Sequence, residues 1–152
     1  MARFWRAYDR CLEALVVLMM TTMVVIMAAQ VVARYIFTNP FVWAEEIAAY
    51  LFIWIVFLAS GLAFQRRAHI ALDYLLRMLP RAVFRSLHFA LSVVVLLFLV
   101  LLGYQGIWFV EAQRGVAAYT TTWVGLSTAY AAATAGALVM IVGLLRTIRP
   151  EE

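Results

Sequence analysis

Two adjacent carboxylates, Glu45 and Glu46, are the residues of this sequence with the most to offer chemically. Paired carboxylates can divide general acid and general base work, provided they face each other across a substrate. Neighbouring positions on a helix point about 100° apart, so this pair does not converge on one point, and catalysis there is rejected. What the pair can do is accept hydrogen bonds and ion pairs at a helix start, where the aligned peptide dipoles favour negative charge. Arg34 lies just across a short turn and is the natural counter-charge. The spacing predicts a rim ion pair of Arg34 with Glu45 and Glu46, which either fixes the hairpin or turns one carboxylate toward a partner protein.

The remaining candidates are weaker. His69 and His88 could in principle ligate a haem, but that needs facing helices at matching depth with an apolar pocket between them. Both histidines instead lie in or beside an arginine-rich stretch. Glu13 is a carboxylate in the first apolar run, as a small four-span proton-coupled exporter would need, yet it stands close behind Arg10 and not at midspan. The single cysteine, Cys11, excludes an internal disulfide and any multi-cysteine metal site. No Gly-rich phosphate loop, metal-ligand spacing or nucleophile elbow is present, so no cofactor and no enzymatic activity are expected.

The elements that carry these residues are membrane spans. Apolar residues make up 67% of the chain and charged ones 13%, against about 45–50% and about 25% in ordinary soluble domains. A chain of 152 residues could not hide that much apolar surface from water. Four apolar runs are expected to cross the bilayer, at about 12–33, 43–64, 86–110 and 124–145, in a single all-α membrane domain. The first run follows a basic, aromatic lead-in but exceeds the roughly 7–15 apolar residues of a signal peptide, so it is read as an uncleaved span. Asn39 is placed to cap the second helix, with Pro40 at its first position.

Between the second and third spans the pattern changes. Apolar residues interleave with Arg66, Arg67, His69, Asp73, Arg77, Arg81 and Arg85, and Asp73 and Arg77 sit four apart as a helical ion pair would. This stretch predicts a short helix at about 69–80, lying on the membrane surface and anchored to lipid headgroups. All 12 basic residues are arginine, and only Arg34 and Arg114 fall on the side away from the N-terminus. That bias predicts both termini in the cytoplasm. The basic residues cap apolar runs and form no continuous patch, which excludes nucleic acid as a partner.

Two helix faces stand out. Trp43, Glu46, Tyr50, Trp54, Phe57 and Gly61 recur at three-to-four spacing along the second span. The fourth span repeats small residues, with Ala129, Ala133 and Ala137 in one row and Ala132 and Gly136 in another. Small residues let helix backbones approach closely in lipid. Both faces are expected to dock another subunit, through Trp43, Glu45, Glu46, Tyr50, Trp54, Phe57, Gly61, Ala129, Ala133 and Gly136.

The stretch RYIFTNPFVWAEEIAAYLFIWIVFLASGLAFQRRAHIALDYL, from Arg34 to Leu75, resembles the small membrane subunit of tripartite ATP-independent periplasmic (TRAP) transporters, the DctQ family. The resemblance rests on the arginine–aromatic turn, the Trp43-x-Glu45-Glu46 helix start, Trp54 at mid-helix, and the exit formed by Arg66, His69, Ile70 and Asp73. A departure is the fourth span, alanine-rich where family members often carry a proline. The resemblance implies a non-enzymatic scaffold subunit in a bacterial inner membrane. Its implied partners are a large transport subunit with the substrate and sodium sites, and a periplasmic binding protein that delivers an organic anion such as a dicarboxylate or sialic acid.

Overall fold

The structure, a computed structural model, describes residues 2–65, 81–121 and 124–148. Its elements are four helices: α1 (Ala2–Tyr35), α2 (Val42–Gln65), α3 (Arg81–Ala112) and α4 (Ser127–Ile148). Each contains a stretch long and apolar enough to cross a membrane. The surface helix expected at about 69–80 lies outside the described residues, together with Arg66, Arg67, His69, Asp73 and Arg77. Arg81 and Arg85 fall in the first turns of α3.

Helix ends differ from the expected spans for local reasons. No glycine or proline interrupts Ala2–Tyr35, so the basic lead-in is simply the start of α1. That helix stops where Thr38 takes a left-handed conformation, φ 52°, a role usually left to glycine. The Asn39 N–H then reaches back to the Ala33 carbonyl at 3.2 Å, and α2 begins only at Val42. Asn39 is therefore not the cap of α2. The buried Gln30 of α1 ties down this turn, its Oε1 accepting the Phe41 N–H at 2.7 Å.

The link from α3 to α4 is also more structured than a plain return to the interface. Gly115 turns the chain at φ 80°, a conformation glycine adopts without strain. Ala117 and Gly125 then form an antiparallel bridge, with the Leu126 N–H bonded to the Val116 carbonyl at 3.1 Å. This small hairpin takes up Val124–Leu126, which is why α4 starts at Ser127.

Helices α2 and α4 form the central pair; α1 lies against α2, and α3 against α4. The closeness of these pairs depends on missing side chains. A Cβ at Gly61 would run into the Val139 side chain, and one at Gly136 would come within 2.6 Å of the Phe57 Cβ and 3.1 Å of its carbonyl oxygen. At the α3–α4 seam, Gly106 sits against Thr134 in the same way. Ala132 and Ala137 of α4 are wholly buried. Toward the end holding the termini, Leu99, Met140 and Leu144 pack with Phe57, Phe64, Val95, Leu96 and Ile141. Association in lipid relies on such van der Waals fit, because lipid tails are as apolar as the helices.

Gly61→Ala should therefore destabilise the folded chain by about 1–3 kcal/mol through overpacking, read as a fall in the thermal unfolding midpoint in detergent. Val139→Ala in the same chain removes the nearest atom the new methyl meets, though not the Val139 Cβ at 2.9 Å, and should restore part of the loss. A double variant no better than Gly61→Ala alone would show that the contact is not close.

Candidate functional site: a carboxylate-held rim

At the rim away from the termini, the adjacent carboxylates part company. Glu45 points outward and meets the Arg34 guanidinium at 3.6 Å, with both side chains more than half exposed. An ion pair that open to solvent contributes little. Glu46 turns inward and is half-buried under the loop that precedes α4.

Every oxygen of Glu46 is engaged by that loop. Oε1 accepts the Tyr119 N–H at 2.8 Å and, more weakly, the Tyr50 hydroxyl at 3.4 Å. Oε2 accepts the N–H groups of Thr120 and Thr121, both at 2.9 Å. It also accepts the Thr121 hydroxyl at 2.8 Å and the Thr120 hydroxyl. Three successive backbone N–H groups turned to one point form a concavity suited to an anion. Here the anion is a side chain of the same molecule. A carboxylate has about four lone-pair sites, and these donors occupy them, so Glu46 has no capacity left to take a proton or hold a substrate. Its chemistry is to stitch.

Neighbouring contacts secure the same region. Thr121 is wholly buried. The Trp54 indole N–H donates to the Thr128 carbonyl at 3.0 Å, bringing the middle of α2 to the first turn of α4. The Thr128 hydroxyl in turn donates to the Gly125 carbonyl at 2.7 Å. Phe109 of α3 stacks on Tyr130 of α4, their centroids 5.4 Å apart. Loop, α2, α3 and α4 are thereby joined at one end of the molecule.

The two faces that the spacing assigned to a partner meet each other. Trp54 reaches Thr128, Phe57 lies against Gly136, and Gly61 against Val139. Ala129 is buried and Ala133 half-buried. Only Trp43 and Glu45 of that set remain exposed. Arg34 pairs with Glu45 and not with Glu46. His69 lies outside the described residues, as does the side chain of His88.

Two arrangements escaped the sequence. The partners of Glu46 stand more than seventy residues away; their one local signal is the run of threonines beside an otherwise apolar span. The second is at the other end, where Arg146 of α4 meets Asp9 of α1 at 2.9 Å and lies 4.1 Å from the centre of the Trp5 ring. Only the opposite charges near the two chain ends hinted at that.

Residues 23–150 match the family described as tripartite ATP-independent periplasmic transporters, DctQ component. The chain is 28% identical over 105 residues to the sialic acid TRAP transporter small permease protein SiaQ of Vibrio cholerae, covering 67% of this chain and 58% of that one. It is 36% identical over 72 residues to a putative TRAP transporter small permease protein of Haemophilus influenzae, 47% of this chain and 45% of that one. To the C4-dicarboxylate TRAP transporter small permease protein DctQ of Vibrio cholerae it is 31% identical over 72 residues, 47% of this chain and 31% of that one. The matched segment thus spans from about a third to somewhat over half of these relatives.

Replacing Glu46 by Ala removes the acceptor for three backbone N–H groups at once. Hydrogen exchange at Tyr119, Thr120 and Thr121 should accelerate by roughly tenfold or more as this loop opens locally. Glu45→Ala, which loses one solvent-exposed ion pair, should leave exchange there unchanged. Equal protection in both variants would mean that Glu46 does not hold the loop.

Proposed function

The chain belongs to the DctQ component family of tripartite ATP-independent periplasmic transporters, and from that premise we propose that it is the static small subunit of a secondary importer of organic anions. In this reading it sits in a bacterial inner membrane with both termini in the cytoplasm. A large membrane subunit carries the substrate and sodium sites, and a periplasmic binding protein delivers the solute. Two relatives are named for sialic acid and for C4-dicarboxylates, which supports a carboxylate substrate for the assembly.

The observation that carries the scaffold role is the chemistry of the interior. No Asp, Glu, Lys, Arg or His stands in the middle of any span, whereas ion paths and pumps depend on such groups. Among the described residues the buried polar side chains are Gln30, which accepts the Phe41 N–H, and Thr121, whose hydroxyl donates to Glu46, both at the rim; the buried Thr134 hydroxyl oxygen, at the α3–α4 seam, has no partner. The glycine contacts bring α2 against α4 and α3 against α4 at backbone distance, at Gly61, Gly106 and Gly136. With the small-residue face of α4 turned onto α2 and α3, the surface left for a large subunit is the outer one. It includes Leu97, Phe98, Leu101 and Tyr104 of α3 and Leu18 and Val25 of α1.

Reconstitution tests this directly. Liposomes holding the chain alone should take up neither succinate nor sialic acid under an inward sodium gradient. The chain should co-purify with the large subunit when the two are made together. Adding that subunit and the binding protein should bring uptake of at least one carboxylate. Transport by the isolated chain would overturn the proposal.

A further inference from the structure

Helix α1 is too long for the bilayer it crosses. Its 34 residues extend roughly 50 Å at 1.5 Å per residue, against a hydrocarbon core of about 30 Å. Fitting the whole helix inside would take a tilt of more than about 50°, beyond the range of roughly 0–40° that spans adopt. The uncharged stretch from Ala14 to Ala33 already covers the core. The turns before Glu13 therefore stand in the headgroup layer.

Those turns have two faces. On one, Trp5, Tyr8, Asp9 and Leu12 are half-buried. Asp9 pairs with Arg146 at 2.9 Å, and the Arg146 guanidinium lies over Trp5, whose ring meets Tyr8 edge-on. This clasp ties the start of α1 to the end of α4 and fixes which way α1 is rotated. On the other face Arg3, Arg6 and Arg10 are exposed. Positions three and seven apart lie along one stripe of a helix. The one acidic residue within these turns, Asp9, is turned away and neutralised by Arg146. Arg6, and Glu13 one turn deeper, have interaction partners of their own. Among the described residues Arg3 and Arg10 have none, and they stand about 10 Å apart along the axis.

We propose that Arg3 and Arg10 form a docking face for the phosphate groups of anionic phospholipids, held toward the membrane surface by the Asp9–Arg146–Trp5 clasp. The argument is charge and depth. Two guanidinium groups at headgroup level, neither paired with a carboxylate, match phosphate oxygens in geometry as well as sign. Phe4, next to Arg3 and 68% exposed, adds an aromatic anchor at the same level. The contact uses side chains on the helix flank and does not depend on the family's transport role.

Native mass spectrometry of the full chain in detergent, titrated with phosphatidylglycerol or with phosphatidylcholine, tests it. Arg3→Gln with Arg10→Gln should weaken the tightest phosphatidylglycerol binding by roughly fivefold or more, without changing phosphatidylcholine binding or the thermal unfolding midpoint. Arg34→Gln, at the far rim, should leave both lipids unaffected. Millimolar inorganic phosphate should not displace the bound lipid. Unchanged phosphatidylglycerol affinity in the double variant would overturn the proposal. So would an equal loss for both lipids, which would indicate packing, or displacement by phosphate, which would indicate a free-anion site.

Discussion

In lipid nothing squeezes apolar helices together, so what holds this molecule is how near its backbones can come. The α2–α4 seam shows the constraint most plainly. Gly61 and Gly136 are placed where a single added carbon would strike the opposing helix, and Ala132 and Ala137 fill the remaining space without excess. The other two helices depend on that pair. α1 rests on α2, and α3 rests on α4 with Gly106 against Thr134. A fold organised in this way has little slack along the seams its glycines close.

Where the chain leaves regular helix near the membrane, its backbone donors must still be satisfied. One carboxylate does this for three consecutive residues at the rim, and one glutamine does it at the neighbouring turn. These polar groups act inward on the chain's own backbone. The exposed Glu45–Arg34 pair contributes far less to the architecture than the sequence position of the two glutamates suggests. Adjacent identical side chains thus have unequal parts, because a helix turns about 100° between them and only one of them meets the loop.

Much of the fold was legible in the residues. Four apolar runs with charge at their ends define four spans, and the motif from Arg34 to Leu75 carries the resemblance to the family. Helix limits were less legible: Thr38 takes a conformation that residue types alone assign to glycine. The small-residue and aromatic faces were read from their spacing as docking surfaces for another subunit, but periodicity cannot say what a face packs against, and Phe57 meets Gly136 within the chain. The Glu46 cluster and the Asp9–Arg146 clasp were not readable, because each joins residues far apart in the chain through contacts that no short-range pattern encodes.

The long reach of the Glu46 bonds also orders the making of the molecule. At synthesis rates of about 5–20 residues per second, the donors at Tyr119–Thr121 emerge roughly 4–15 seconds after the glutamate that will receive them. During that interval the three backbone donors that Glu46 accepts in the folded chain are not yet made. The later hairpin therefore completes the earlier one, and Arg146, arriving later still, closes the opposite end onto Asp9.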